Sequence, residues 1–239
     1  MPPKTQTPRY EYLEVRLASF THSHVSNNGP LAASQAHRGA KSKAWPHPLS
    51  EPFNPTSLSK AGFFFNASEE QPDNCTCFVC GKSLGSWEPG DDPSLEHVAH
   101  DEDNCGWARA VCEVESKERV NNHTYIFASA DRLPTSTAME SRRHDTFSNW
   151  WPYDDVPKHS ATSEKMARAG WHCTPSVGDT DNASCVYCGT SLSGWEPTDD
   201  PLEEHRRKRP NCVFFTAGDR VGVEVRHKTA VSGTMIFMG

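Results

Sequence analysis

The chain has 239 residues, of which 35% are hydrophobic, and a formal net charge of −7. This acidic balance argues against direct nucleic-acid binding through phosphates, which requires a basic surface. No run approaches eighteen apolar residues, so no membrane span is expected, and the N-terminal "MPPKTQTPRYEYLEVRL" lacks the apolar core of a secretion signal. Nine cysteines, an odd number in a chain not expected to be secreted, favour metal binding over disulfides.

The predicted elements are short. In "NPTSLSKAG", Asn54 is expected to cap a helix that begins at Pro55 and stops at Gly62. Short strands are predicted in the segments "FFFN", "CTCFVC" and "SLGSWEP", with turns between them. Asp92, directly before Pro93, then caps a second predicted helix, which carries a histidine.

The same order of elements occurs a second time along the chain. "TSEKMARAG" repeats the first helix with Thr162 as its cap and Gly170 as its stop, and Asp200 repeats the second cap. A shift of 108 residues pairs Cys77 with Cys185, Cys80 with Cys188, Trp87 with Trp195, Asp91 with Asp199 and His97 with His205. Cys105 and Cys212 depart from this shift by one residue, because the second copy has one residue fewer between its histidine and its last cysteine. The chain therefore contains a duplicated domain rather than a short solenoid repeat.

The duplication sets the predicted domain boundaries. The first domain covers residues 9–115 and carries an inserted loop at 21–44, which the second copy lacks. A linker with some order around "YIF" is expected at 116–140, the second domain at 141–220, and a tail at 221–239. Each copy is predicted to be a small α+β unit of three strands and several short helices. Units of this size need an additional stabilising cross-link, such as a bound metal ion, because their hydrophobic cores are small.

Each copy carries a quartet of candidate metal ligands. The spacing is Cys-x2-Cys-x16-His-x7-Cys in the first copy and Cys-x2-Cys-x16-His-x6-Cys in the second. The sets are Cys77, Cys80, His97 and Cys105, and Cys185, Cys188, His205 and Cys212. Three thiolates and one imidazole form a closed tetrahedral set that is typical of structural Zn²⁺, so two zinc ions are expected. The alternative is that these cysteines are merely buried or incidental, but that does not readily explain two quartets at matching positions of the two copies.

The remaining three cysteines are not expected to bind metal. Cys75 lies beside the first set, but its counterpart in the second copy is Ala183. Cys112 and Cys173 have no ligand spacing, so they are most simply thiols of the core.

These motifs resemble the baculoviral inhibitor-of-apoptosis repeat (BIR) family. The similarity runs from "RHDTFSNWWP" through "MARAGWHCTP" to "GWEPTDDPLEEH" in the second copy, and the first copy with its insertion is similar to the leading repeat of fungal members. It covers roughly 190 residues and includes features of the tandem, survivin-like, Bir1-type members of chromosomal passenger complexes. The resemblance implies two BIR domains, each with a three-stranded antiparallel sheet.

The resemblance also implies a peptide groove beside the third strand of each copy. The groove residues would be Leu84, Trp87 and Asp91 in the first copy, and Leu192, Trp195 and Asp199 in the second. An aspartate at the end of an apolar slot captures the cationic α-amine of a peptide, and the indole beside it admits an alanine methyl. Core packing is the alternative role for the tryptophans, and a solvated surface role or a helix cap is the alternative for each acid.

The survivin-like branch additionally binds a phosphothreonine, which requires a cationic neighbour. Lys82 and His100 lie at the corresponding positions of the first copy, and the second copy has Thr190 and Lys208 there. The glutamate that helps hold the amine in that branch is replaced by Gly85 and Ser193. The first copy therefore keeps more of the phosphate site, while an ordinary surface role for its two cations remains an alternative.

The resemblance favours a non-enzymatic reader that captures the histone H3 amino terminus, or a shugoshin-like amino terminus, at centromeric chromatin in mitosis. A location in the nucleus and on chromosomes, with some cytoplasmic presence, is expected, and other passenger-complex subunits would bind through regions outside this chain. The first alternative is an inhibitor-of-apoptosis module that binds caspases or the amino termini of their antagonists, and the second is a scaffold with unused grooves. No third cysteine–histidine cluster suggests a RING domain, so ligase activity is not expected.

Overall fold

A computed structural model describes residues 9–21, 44–102, 104–121 and 124–226. The α-helices in these parts are α1 Leu13–Ser19, α2 Pro55–Lys60, α3 Pro93–Ala99, α4 Thr137–Asp145, α5 Ser163–Arg168, α6 Pro201–Lys208 and α7 Val213–Thr216. The strands are β1 Phe63–Phe65, β2 Cys75–Cys77, β3 Ser83–Leu84, β4 Arg119–Asn121, β5 Thr124–Ile126, β6 His172–Cys173, β7 Ala183–Ser184, β8 Ser191–Leu192 and β9 Glu224–Arg226. None of the described helices is long and apolar enough to cross a membrane. Residues 22–43 of the predicted insertion, and the tail beyond Arg226, lie outside the described residues.

The first copy forms a three-stranded antiparallel sheet in the order β1-β2-β3. Phe63 pairs with Cys77, Phe65 pairs with Cys75, and Cys75 pairs in turn with Leu84. Phe63 and Phe65 are buried, and the residue between them is half-buried, because successive side chains of a strand point to opposite faces. The second copy repeats the sheet as β6-β7-β8. The predicted α+β class is therefore confirmed for both copies.

Side-chain caps begin three of the four helices for which the sequence predicts them, whereas Thr162 precedes α5 without a capping hydrogen bond from its side chain. Asn54 Oδ1 accepts hydrogen bonds from the amides of Thr56 and Ser57 at 3.0 and 3.1 Å, ahead of Pro55. Asp92 caps α3 and Asp200 caps α6 in the same way, each followed by a proline. These bonds satisfy amides that have no partner within the helix, so each helix begins at a defined residue.

Residues 116–140 are more ordered than the expected linker. They contain the end of a π-helical segment, which comprises Ala108–Cys112 and Val114–Glu118, then the β4–β5 hairpin, a 3₁₀ turn at Ala130–Arg132, and the start of α4. In the third sheet, of order β4-β5-β9, Tyr125 pairs with Val225. The predicted tail thus contributes β9, and this sheet joins segments about a hundred residues apart.

The two copies share one hydrophobic core. Phe78 of the first copy packs against Trp150 with ring centroids 5.8 Å apart, and Trp107 packs against His172 at 5.7 Å. Burial lowers the pKa of His172 to about 4, so this imidazole is neutral near pH 7. At the hairpin, the Tyr125 hydroxyl donates to the carbonyl of Tyr187 at 2.8 Å. The copies therefore contact each other directly.

Gly106 lies where the two copies approach each other closely. A Cβ atom there would stand 2.6 Å from Arg142 O and 2.6 Å from Asp145 Cβ, both in α4. Because backbone cannot move aside cheaply, we expect Gly106→Ala to destabilise the zinc-loaded chain by about 1–3 kcal/mol. Denaturant unfolding measures the effect. The control is Gly178→Ala, where a Cβ would meet nothing within 4 Å, and equal stability of the two variants would contradict the close packing.

Candidate zinc centres and peptide grooves

The four predicted ligands of the first copy converge. Cys77 Sγ lies 3.9 Å from Cys105 Sγ, and Cys80 Sγ lies 3.8 Å from His97 Nε2. All four ligand atoms are within 4.8 Å of one another. A tetrahedral zinc with Zn–S bonds of about 2.3 Å sets neighbouring sulfurs about 3.8 Å apart. The observed spacing therefore fits a zinc ion.

The second set has the same geometry. Cys185 Sγ and Cys212 Sγ are 3.8 Å apart, and Cys188 Sγ lies 3.5 Å from His205 Nε2. These four atoms also lie within 4.8 Å of one another. Hydrogen bonds from the neighbouring thiols of Cys185 and Cys212 lower the pKa of Cys188, which favours the thiolate that zinc requires. The chain thus carries two Cys3His clusters that each fit one zinc ion.

A turn delivers the first two ligands of each set. Cys77 is the last residue of β2, and its carbonyl accepts a hydrogen bond from Gly81 N at 3.0 Å. Gly81 has a φ of 72°, a left-handed conformation that glycine adopts without strain. The Val79 amide points at Cys77 Sγ, 3.4 Å away, and so supports the thiolate. Cys80 is thereby turned back toward Cys77.

A backbone carbonyl fixes the orientation of each ligand histidine. His97 Nδ1 donates to Ala61 O at 2.8 Å, and His205 Nδ1 donates to Ala169 O at 2.8 Å. With the proton on Nδ1, the lone pair of Nε2 points at the thiols, as metal binding requires. Residues Ala61 and Ala169 follow the ends of α2 and α5. Every residue has a backbone carbonyl, so the sequence alone does not indicate which carbonyl orients the histidine.

The three other cysteines lie outside both clusters. Cys112 is buried behind the first centre, with Sγ 3.9 Å from His97 Nδ1, on the side away from the metal. Burial raises the pKa of Cys112 and of Cys173, so both thiols stay protonated. Cys75 is fully buried in β2.

The predicted groove residues occupy matching positions in the two copies. Leu84 lies on β3 and is half-buried, and Asp91 Oδ2 accepts a hydrogen bond from Glu88 N at 2.8 Å. This turn uses one carboxylate oxygen, and a carboxylate has a second that can accept from an ammonium group. Leu192 lies equivalently on β8, and Asp199 Oδ2 accepts from Glu196 N at 2.8 Å.

Both groove tryptophans contribute most of their surface to the core. Trp87 is 6% exposed and packs against Phe53 and Phe63, with ring centroids about 6 Å away. Trp195 is 5% exposed and meets Trp171 edge-on at 5.7 Å. Each indole therefore offers a peptide only a narrow strip of its surface.

The predicted phosphate-binding cations lie beside carboxylates. Lys82 Nζ is 3.5 Å from Glu102 Oε2. His100 Nδ1 is 3.5 Å from Glu96 Oε2 and donates a hydrogen bond to the backbone carbonyl of Glu96 at 3.0 Å. Glu102 is largely exposed, so solvent screens this ion pair and it holds Lys82 only weakly.

In the second copy, Lys208 ends α6 and is exposed. The structure adds one cation that sequence alignment missed. Arg209 Nε donates to Thr190 Oγ1 at 3.1 Å, so a guanidinium reaches the position that corresponds to Lys82. Arg209 belongs to the basic run "HRRKRP" at residues 205–210, but the spacing of this run does not show which of its side chains folds back toward Thr190.

Comparison with known proteins identifies the family. The model of the BIR, or Inhibitor of Apoptosis domain, family matches residues 16–109 and again residues 143–216. This chain belongs to the BIR family. The two matched segments each contain one of the Cys3His clusters and one of the grooves.

The BIR relatives include proteins of different kinds. The chain is 37% identical over 183 residues to the chromosomal passenger complex protein bir1 of Schizosaccharomyces pombe, covering 74% of this chain and 17% of that protein. It is 33% identical to the E3 ubiquitin-protein ligase XIAP of Xenopus tropicalis, covering 70% and 31%. It is 31% identical to human baculoviral IAP repeat-containing protein 1, covering 87% and 14%. The chain therefore spans less than a third of the length of these relatives.

We expect each chain to hold two zinc ions and to unfold when they are chelated, because units of this size depend on metal for folding free energy. His205→Ala removes one ligand of a closed set, so the zinc content should fall from two to one. Elemental analysis of purified, folded protein measures both numbers.

The matched control is Cys75→Ala, which introduces the residue that the second copy has at this position. It should retain two zinc ions. A folded wild-type chain with one zinc ion or none would contradict the assignment, as would loss of zinc from Cys75→Ala.

Proposed function

We propose that this tandem BIR chain is a non-catalytic reader that captures free amino termini beginning with alanine. The observation that carries the proposal is the repetition of the same groove in both copies, an apolar residue on the third strand followed by a tryptophan and an aspartate. An α-ammonium group would bind the aspartate, and the exposed edge of the indole would contact the alanine methyl.

The partner we propose is the amino terminus of histone H3, with or without phosphothreonine, or a shugoshin-like amino terminus. The similarity to a chromosomal passenger complex protein supports this choice. The chain would then direct its complex to centromeric chromatin in mitosis, within the nucleus, while other subunits bind regions of the full protein outside this chain. The acidic net charge suits a basic tail.

A binding role, rather than an enzymatic one, is supported by the metal centres. Each cluster supplies four protein ligands, so a tetrahedral zinc keeps no position for a water or a substrate. Six of the nine cysteines, and both histidines of the clusters, are committed to these sets.

The second candidate is an inhibitor-of-apoptosis module that binds caspases or the amino termini of their antagonists. Similarity to XIAP favours it. Titration of the chain with Ala-Arg-Thr-Lys peptides, with and without phosphothreonine, and with an Ala-Val-Pro-Ile peptide separates the two. We expect the first sequence to bind more tightly, and preference for Ala-Val-Pro-Ile would support the second candidate instead.

A free amino terminus on the peptide should be essential. Acetylation removes the positive charge and leaves the groove carboxylate unpaired, which costs about 1–3 kcal/mol, or tenfold or more in affinity. Calorimetric titration with free and acetylated peptides measures the difference. The double variant Asp91→Asn and Asp199→Asn is the control, since it should bind both peptides equally weakly. Equal binding of both peptides to the wild type would contradict the groove.

Phosphothreonine should strengthen binding mainly through the first copy. Lys82 offers a charge that can reach the phosphate, and His100 adds a donor when it is protonated. The gain in affinity should shrink as salt rises and should disappear in Lys82→Ala. Titrations of the whole chain with both peptides test this, because the copies share a core.

Arg209→Ala is the matched variant in the second copy, and it should leave most of the phosphate gain intact. Lys208→Ala should have the same small effect. A gain that survives Lys82→Ala but is lost in Arg209→Ala would assign the phosphate to the second copy.

A further inference from the structure

A buried aspartate holds the backbone beneath the first groove. Asp73 is 6% exposed, and its Oδ1 accepts a hydrogen bond from Ser86 N at 2.8 Å. Its Oδ2 accepts from Trp87 N at 2.9 Å. This carboxylate therefore fixes the chain at the groove tryptophan and at the residue before it.

The second copy contains the same carboxylate clamp. Asp181 is 9% exposed, and its Oδ2 accepts hydrogen bonds from Gly194 N at 2.8 Å and from Trp195 N at 2.9 Å. Each clamp thus consists of one buried aspartate and two successive amides, the second of which belongs to the groove tryptophan.

The side chain that completes the clamp differs between the copies. His47 Nε2 lies 2.9 Å from Asp73 Oδ2 in the first copy. In the second copy the Tyr153 hydroxyl donates to Asp181 Oδ2 at 2.8 Å. Each follows a Trp-Pro pair, so the two donors occupy equivalent positions of the repeat.

We propose that His47 and Tyr153 are positioning residues of the two peptide grooves, and that the imidazole makes the first groove alone bind more tightly as pH falls. Each donor orients the aspartate that fixes the groove tryptophan. The inference deepens the proposed function and rests on it for the binding step.

The charges around His47 support this direction. Burial alone would raise the pKa of Asp73, but hydrogen bonds from Ser86 N, His47 and Trp87 N lower it overall, so the carboxylate stays ionised. The rings of Trp45 and Phe53 pack about 5 Å from the imidazole. In general, a protonated imidazole forms a stronger, charge-assisted hydrogen bond to a carboxylate than a neutral one, and imidazole is the side chain whose ordinary charge change falls between pH 5 and pH 8.

Cys75 is the other titratable group in contact with Asp73. Its Sγ lies 3.6 Å from Asp73 O. Burial raises the pKa of Cys75, so the thiol stays neutral and does not oppose the change at His47.

We do not expect the second clamp to become stronger as the pH falls. Burial and the neighbouring Asp181 raise the pKa of Tyr153 to about 12, so the phenol keeps its proton. His159 stacks on Tyr153 with ring centroids 3.8 Å apart, and its Nδ1 accepts the Ala161 amide at 3.2 Å. Because this Nδ1 acts as an acceptor, a proton added there would remove that hydrogen bond rather than add one to the clamp.

The backbone makes the first groove more dependent on its clamp. Ser86 has a φ of 61°, a left-handed conformation that disfavours any residue with a Cβ. Gly194 occupies the equivalent place with a φ of 73° and carries no such strain. The hydrogen bond from Ser86 to Asp73 therefore holds a conformation that the chain would otherwise leave.

Amide hydrogen exchange of the full, zinc-loaded chain tests the clamp without a peptide. After correction for the intrinsic exchange rate, protection of the Trp87 amide should rise about two- to fivefold between pH 8 and pH 6, and that of Trp195 should not rise. His47→Tyr, which installs the donor of the second copy, should keep protection but remove its pH dependence. His47→Phe should lose protection at every pH, and Tyr153→His should transfer the pH dependence to Trp195.

Binding of an Ala-Arg-Thr-Lys peptide then tests the positioning role. These titrations use proteins that also carry Asp199→Asn, which removes the proposed amine-binding carboxylate of the second groove. The ratio of affinities at pH 6 and pH 8 should exceed that of His47→Tyr by about the same two- to fivefold. The amine of the peptide titrates identically in both proteins and cancels. Each variant should contain two zinc ions.

If the protection of the Trp87 amide depended on pH in the same way in the wild type and in His47→Tyr, the pH-dependent clamp would be overturned. If the protection of the Trp87 amide changed with pH but the affinity for the peptide did not change with it, the positioning role would be overturned. If no peptide bound at any pH while the exchange behaved as expected, the proposed function and the positioning role would fail together, and the pH-dependent clamp would stand.

Discussion

Four ligand atoms, from residues 77–105 in the first copy and 185–212 in the second, meet at one point in each copy, and the rest of the copy is arranged to make this possible. A strand end and a glycine turn deliver two thiols, and a capped helix delivers the histidine. The carbonyls of Ala61 and Ala169 then fix the imidazole tautomer. Sheets with strands of two or three residues supply little core of their own, so a closed zinc set is the staple that such units need.

The peptide groove depends on the same closure. In both copies every proposed groove residue lies between the second cysteine and the histidine of the cluster, for example between Cys80 and His97. Zinc therefore pins both ends of this segment. The buried aspartate of the clamp holds its middle at Trp87 or Trp195. With zinc bound, three anchors would restrain the roughly sixteen residues that carry each proposed groove, which would favour a preorganised binding surface.

The duplication has produced two similar copies that are not independent. The π-helical segment and the β4–β5 hairpin lie between them, and β9 returns from beyond the second copy to complete the third sheet. Gly106 permits the close approach to α4, and neutral His172 packs against Trp107. The two copies have also diverged beside their grooves, in His47 against Tyr153 and in Lys82 against Arg209. The two copies therefore share a core but differ in the residues beside their proposed grooves.

The sequence by itself determined the duplication, both ligand quartets and the helix starts at Asn54, Asp92 and Asp200, because these depend on spacing and on local capping chemistry. Tertiary structure alone decided the third sheet, since the pairing of Tyr125 with Val225 joins segments that carry no local signal for each other. It also decided which residues support the sites. The carbonyl of Ala61, the buried carboxylate of Asp73 and the guanidinium of Arg209 act through distances across the fold, and residue type and spacing do not encode such distances.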